Sequence, residues 1–213
     1  MKKMLQRIMF VLLAIMLVTQ LSACGFSKET SSSSEQAATS KEVATDAQNE
    51  SVTEEEPLII VDQMGRVVEI PKEINRIVMT ALPFPSIYAL TGEPISKIVG
   101  MHPGSKGAIE NSIMGKMYPE LLEIESTFIE GTDLNMEELL KLNPDIVFYW
   151  GSYENQTKQL TEAGIPAIGV VTQGDGDPLL TLSSWLEMMG QVFGKEHNVK
   201  EVIEYGKQVE EEI

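Results

Sequence analysis

From Leu58 onward, short apolar runs alternate with stretches of helical period, and this alternation constrains the fold more than any other feature of the chain. "RIVMTA", "KIVGM", "DIVFYW" and "AIGVV" are apolar nearly throughout and bounded by turn residues, as strands buried on both faces are. Between and after them lie four candidate helices. Pro85 to Thr91 is closed by Gly92, and "NMEELLKL" carries Asn135 and Glu138 at capping-box spacing. Glu154 to Ala163 is closed by Gly164, and Asp177-Pro178 open a helix running to about Phe193. Ahead of this pattern, "LIIVD" and "VVEI" flank "QMGR" and predict a hairpin that turns near Gly65 and ends at Pro71. Strands alternating with helices give a parallel sheet covered on both faces. The expected fold class is α/β, a Rossmann-like lobe.

In open parallel sheets, ligands sit beyond the carboxyl ends of the strands. The segments there are Leu82-Pro83-Phe84-Pro85, His102-Pro103-Gly104-Ser105-Lys106, Gly131-Thr132-Asp133, Trp150-Gly151-Ser152-Tyr153 and Thr172-Gln173-Gly174. Aromatic side chains with a few polar groups among small residues suit a small-molecule site. Each residue also has a plainer reading. Trp150 offers a flat face to a ligand or covers the sheet end as a core residue. Phe84, between two prolines, lines the site or packs its own loop. His102 alone is no metal site, because three or more ligands are normally required. Lys106 pairs with an anionic chelate or is a solvated surface lysine, and His197 is expected to face solvent. "TQGDGDP" lacks the third glycine of a dinucleotide fingerprint, and Asp175 and Asp177 would repel a pyrophosphate, so a nucleotide loop is rejected. No Ser-His-Asp set or nucleophile elbow appears, and no catalytic residue is expected.

The formal net charge of −16 argues against nucleic-acid binding, since acidic surfaces repel phosphate. The single cysteine excludes an internal disulfide and a cysteine-based zinc site. That cysteine, Cys24, follows Lys2, Lys3, Arg7 and an unbroken apolar run from Ile8 to Val18. The run is too short to span a bilayer, which takes about 20 residues, and suits an export signal. Leu21-Ser22-Ala23-Cys24 resembles the lipobox of bacterial lipoproteins, which implies cleavage before Cys24 and a diacylglycerol on its sulfur. Two or more acyl chains anchor a protein stably, at about 0.8 kcal/mol per buried CH₂. Gly25 to Glu56, rich in Ser, Thr and Glu and with very few large apolar residues beyond its start, reads as a disordered leash that with Cys24 spans roughly 30 Å.

Two longer stretches carry a family resemblance. They are "D-x-x-G-R-x-V-x-I-P" from Asp62 to Pro71 and "N-x-E-x-L-x-x-L-x-P-D-I-V" from Asn135 to Val147. In this order, behind a lipobox, the chain from about Leu58 to its end resembles the solute-binding proteins of bacterial ABC importers for ferric siderophores, haem and cobalamin. The resemblance implies two α/β lobes joined by a long helix, with the ligand held between them. "GKEHNVKEVIEYGKQVEEEI" is similar to the opening of that helix. The expected organisation is a signal peptide over 1–23, an acylated Cys24 and linker over 24–56, an amino-terminal lobe over 57–193, and the start of the connecting helix over 194–213, with the second lobe absent.

By the same resemblance, Phe84, Pro85, His102, Lys106, Thr132, Trp150, Gly151 and Ser152 are expected to contact the ligand. Glu154 is expected to dock on an ABC permease; an acidic residue there also favours its helix dipole, by roughly 0.3–1 kcal/mol. The implied protein is a monomer tethered outside the cytoplasm, without catalysis, resident metal or cofactor. Its ligand is expected to be a metal chelate, a ferric siderophore first, with haem, cobalamin, or a metal ion such as nickel or molybdate as alternatives. Rival readings from other classes are a secreted metal-dependent hydrolase using His102 and Asp133, and a single-lobe adhesion lipoprotein.

Overall fold

The computed structural model describes residues 57–212; the expected signal peptide, Cys24 and leash lie outside them. The strands are β1 (Leu58–Val61), β2 (Val67–Ile70), β3 (Ile77–Met79), β4 (Ile98–Met101), β5 (Ile129–Glu130), β6 (Asp133–Leu134), β7 (Ile146–Trp150) and β8 (Ala167–Val170). The helices are α1 (Phe84–Ala89), α2 (Pro103–Glu110), α3 (Met114–Met117), α4 (Met136–Lys141), α5 (Glu154–Glu162), α6 (Pro178–Phe193) and α7 (Glu196–Glu211). Four strands form a parallel sheet in the order β4-β3-β7-β8, while β1-β2 and β5-β6 are antiparallel pairs.

Alternation along the central strands sorts the core into two layers. Ile77, Met79, Ile146, Phe148, Ile168 and Val170 face one side, with Phe84, Ile87, Trp185, Met189 and Val199 from α1, α6 and α7. Val78, Val147, Tyr149 and Ala167 face the other, with Phe128, Leu139 and Leu160. Both faces are covered, as the apolar runs require. The first layer is aromatic: Phe84 lies 5.8 Å from Phe148 and 5.4 Å from Trp185, and Phe193 joins Phe148 to Tyr88.

Caps follow local chemistry. Asn135 Oδ1 accepts the N–H of Glu138, and Asp177 Oδ1 accepts those of Leu179 and Leu180. Gly194, in the left-handed conformation that favours glycine, ends α6, and the Lys195 N–H bonds back to the Gly190 carbonyl. The chain then reverses into α7, which lies along α6: Gly190 has no room for a Cβ because Val199 would sit 2.7 Å away.

The structure holds elements that the apolar runs do not predict. The stretch after His102 is a helix, α2, rather than a loop, and Gly131-Thr132 form the turn of the β5-β6 hairpin rather than following a sheet strand. The β1-β2 turn also does more than reverse the chain. The Asp62 carboxylate accepts from the backbone N–H of Met64 and Arg66, from Arg66 Nε at 2.9 Å, and from the Gly169 N–H in β8 at 3.0 Å. The Gln63 N–H bonds to the Gly169 carbonyl, Gln63 Oε1 accepts from the Val171 N–H, and Arg66 Nη2 donates to the Ala167 carbonyl. At the opposite edge, the Met101 N–H of β4 bonds to the Glu125 carbonyl.

Candidate functional site

The carboxyl ends of β3, β4, β7 and β8 define a rim, and α1, α2, α5 and α6 each begin there. The topology changes direction between β3 and β7. After β3, α1 joins the aromatic layer; after β7, α5 joins the opposite layer through Leu160. A crevice opens where neighbouring connections leave toward opposite faces, and ligands bind at such points.

His102 caps α2. Its Nδ1 accepts the Gly104 N–H at 2.9 Å, and its Nε2 lies 3.1 Å from the Gly131 carbonyl. With Nδ1 an acceptor, Nε2 carries the proton and donates to Gly131, so both nitrogens are engaged. This joins the end of β4 to the β5-β6 turn. Thr132 is exposed, and its carbonyl accepts from Gln156 Nε2, while Gln156 Oε1 takes the Thr80 hydroxyl at 3.0 Å. Gln156, fully buried on α5, therefore ties the end of β3 to that same turn. Nothing in the polar run "ENQTKQL" announces a buried glutamine.

Lys106, on α2, donates to the Ile124 carbonyl at 3.2 Å. Phe84 and Pro85 are not on the exposed rim. Both are buried at the start of α1, with the Phe84 ring between Phe148 and Trp185. Trp150 is partly buried at the end of β7, its ring 5.4 Å from Trp185 in an edge-to-face arrangement. Trp185 is anchored in turn by donating to the Val171 carbonyl at 2.9 Å. Trp150 is thus held by a second indole on one side while the rest of it meets the rim.

Gly151 is buried because the Met64 thioether occupies the place of its side chain; a Cβ there would lie 2.5 Å from Met64 Sδ. Ser152 and Glu154 are exposed, and Glu154 opens α5, which no side chain caps. His197 is exposed on α7, beside Glu201. Exposed apolar side chains at the rim include Met64, 45% exposed, Leu82, 47%, and Tyr153, 36%. Met64 reaches the rim from the distant β1-β2 turn, which periodicity alone does not reveal.

Among the described residues, no three His, Cys, Asp or Glu side chains are placed to hold a metal ion. No helix among them is long and apolar enough to cross a membrane. A cavity of about 530 Å³, lined by Val67, Pro71, Thr161 and Pro166 among others, lies at the amino end of β8, away from the rim. We place the candidate site at the rim, because the topological switch point, the partly exposed tryptophan and the converging loops are there.

No protein-family model matches the chain. The molybdate-binding protein MolA of Haemophilus influenzae is 29% identical over 165 residues, 68% of this chain and 45% of that protein. The structure of MolA bound to molybdate matches with a TM-score of 0.58 and 25% identity, over 68% of this chain and 49% of that one. A periplasmic solute-binding protein from Veillonella parvula matches with a TM-score of 0.65 and 32% identity, over 71% of this chain and 45% of its own. The TroA-like periplasmic binding protein FepB from Veillonella parvula matches with a TM-score of 0.58 and 26% identity, over 71% and 47%. The haem-binding protein HmuT and the siderophore-binding protein BauB, at 20% and 19% identity, share the fold alone. This chain spans about half the length of these relatives, and its mixed α/β fold fits a single lobe of a TroA-like binding protein. The relatives are transport-associated binding proteins, not enzymes.

Proposed function

We propose that this chain forms one ligand-binding lobe of an extracytoplasmic solute-binding protein serving an ABC importer, with a metal chelate, a ferric siderophore before others, as its solute. The supporting observation is the 32% identity and TM-score of 0.65 to a periplasmic solute-binding protein, combined with a partly exposed tryptophan at the switch point of the sheet. Several of the rim's polar groups are held by hydrogen bonds, His102 to Gly131 and Gln156 to Thr80 and Thr132, which preorganises this part of the lobe. In this reading Cys24 carries the lipid that keeps the lobe at the membrane, residues 24–56 are the leash, and α7 opens the connection to a second lobe. Exposed Glu154 meets the permease, where a rim charge sets orientation and association rate more than affinity. The receptor works as a monomer.

Ligand-dependent thermal stability of the full chain tests this. Ferric chelates, haem, cobalamin, nickel and molybdate are each added in excess. A bound solute raises stability by about 2.7 kcal/mol at a hundredfold excess over its Kd. A melting temperature unmoved by every member of the panel overturns the receptor reading. For the anchor, Cys24→Ala is expected to shift the protein from the detergent phase to the aqueous phase on detergent partitioning. No change on that substitution removes the lipid.

A further inference from the structure

We infer that the acidic segment Glu54-Glu55-Glu56, which leads into β1, docks on a lysine-ringed cavity at the end of the sheet opposite the rim, and that salt opens this latch. The inference goes beyond the binding-protein reading and does not depend on which solute the lobe holds.

The cavity has a volume of about 370 Å³. Ile74 and Lys97, which precede β3 and β4, line it together with Val192 to Gly194 at the end of α6. Its floor is apolar, since Ile70, Ile74 and Val192 are buried. Its border is charged. Lys97 Nζ meets Glu93 Oε2 at 2.5 Å, and Lys195 Nζ meets Glu93 Oε1 at 3.1 Å. Lys72, exposed on the hairpin side of the same cavity, pairs with no carboxylate among the described residues. Three ammonium groups therefore share one carboxylate, in a chain whose formal net charge is −16. The carboxyl end of α6 draws cations through its terminal carbonyls and accounts for part of this clustering. Each ammonium carries three N–H donors, however, and Lys97 and Lys195 each spend one on Glu93.

The register of the hairpin names the occupant. Leu58 pairs with Ile70 and itself lines the cavity. Carried past that pair, the register sets Pro57 against Pro71 and Glu56 against Lys72. Alternation puts Glu54 and Glu56 on the face of Leu58 and the buried Ile60, with Glu55 on the other. The two prolines offer no N–H, so ladder hydrogen bonds stop there, but a residue before proline is held extended and Glu56 keeps the direction of β1. At about 3.3 Å per residue, Glu54 lies within roughly 13 Å of Leu58. Opposite charges facing each other across paired strands attract, and the short tether keeps the carboxylates at high effective concentration. Exposed ion pairs are individually weak and are screened by salt, so the latch needs several of them and opens as ionic strength rises. A pull on the preceding chain is then taken at this end of the sheet, away from the rim.

Cleavage of the full chain by a glutamate-specific endoprotease tests the inference. Rates after Glu54 and Glu55 are divided by those of the same bonds in a free peptide of residues 48–60, at about 20 mM and about 500 mM sodium chloride. At low salt the parent is expected to be cut about fivefold more slowly than at high salt on this scale. Lys72→Glu is expected to remove most of that difference. Lys116→Glu, which makes the same change in net charge at an exposed position on α3 outside the cavity, should leave it intact. Glu56→Gln should remove most of the difference without altering the lobe, so the outcome does not hang on the folding of Lys72→Glu. A normalised rate that salt leaves unchanged overturns the latch, because mere closeness to the folded lobe would slow the protease at both salt concentrations. Equal effects of Lys72→Glu and Lys116→Glu, or a salt effect that survives Glu56→Gln, overturn it as well. The receptor reading is untouched by any of these results, since no solute enters the measurement.

Discussion

The two faces of the parallel sheet are held together by different means. On one face, Phe84, Phe148, Trp185, Phe193 and Tyr88 interlock with methionines from α6, and polar groups stay at the margin. On the other, a smaller apolar layer is supplemented by buried polar ties. Gln156 joins Thr80 to Thr132, Tyr149 shares a 2.8 Å hydrogen bond with Thr157, and Arg66 lies over the Tyr149 ring while paired with Asp62. Apolar packing is tolerant in direction, so the first face supports the helices broadly. Hydrogen bonds are directional, so the second face fixes the positions of particular loops at the rim. Burial pushes the phenols of Tyr88 and Tyr149, one on each face, above their ordinary range.

The largest expected effect comes from the aromatic face. Phe148→Ala leaves a cavity among Phe84, Phe193 and the sheet, and urea denaturation should show a loss of about 4 kcal/mol. A loss near 1 kcal/mol would mean that the layer collapses readily and the contrast between faces is weaker than drawn.

Asp62→Ala comes next. It strands the Gly169 N–H and the Arg66 guanidinium, and breaking a buried pair in this way costs about 3 kcal/mol, reduced here because Arg66 is partly exposed. The paired variant Asp62→Ala/Arg66→Met should recover part of that loss. If it does not, the pair is not the unit that matters.

Gln156→Ala is expected to lower stability by about 1–2 kcal/mol through its stranded partners, Thr80 Oγ1 and the Thr132 carbonyl. Its more telling effect should be on the rim, where hydrogen exchange of residues 129–134 should quicken while α6 is unchanged. Equal quickening on both faces would remove the distinction between broad and directional support.

The smallest effect concerns pH and the margin of the aromatic face. Burial pushes the Glu93 carboxyl up, but hydrogen bonds and charge from Lys97 and Lys195 push it down and prevail, so it is held below the usual value of 4.5. A carboxylate with a depressed folded-state pKa contributes stability above its ordinary value and loses it as pH falls through the folded one. Stability of the parent should therefore decline on acidification below about 4.5, and Glu93→Gln should flatten that part of the curve. An unchanged curve would place the acid sensitivity elsewhere.

The sheet strands were legible because each is an apolar run that can only be buried, and the long helix α6 because Asp177, Pro178 and Gly194 bracket a periodic stretch. The helix α2 was not. "PGSKGAIE" contains two glycines and buries only Ser105 and Ile109, so no apolar stripe marks it. β5 and β6 have two residues each, too few to show an alternation of period two. The placement of Trp150 at a strand end followed from the run "DIVFYW", whereas Phe84 was set at the rim on chain position alone. Its ring turns inward because α1 begins at it, and the first turn of a helix directs that side chain onto the sheet. Gln156, Trp185 and Met64 reach the rim through tertiary contacts from other elements, and local pattern carries no trace of such contacts.

The turn at Asp62 to Arg66 has a further consequence for the life of the protein in a crowded solution. A four-stranded sheet has two outer strands, each offering a row of N–H and C=O groups to any extended chain that drifts past. On β8 the Gly169 N–H and carbonyl, the Ala167 carbonyl and the Val171 N–H are already taken by the hairpin turn. On β4 the Met101 N–H is bound to Glu125. The β8 margin is thus largely withdrawn from strand-by-strand growth and the β4 margin is covered at one point, so a passing extended chain finds little on this sheet to pair with, even though the sheet is among the most apolar parts of the chain.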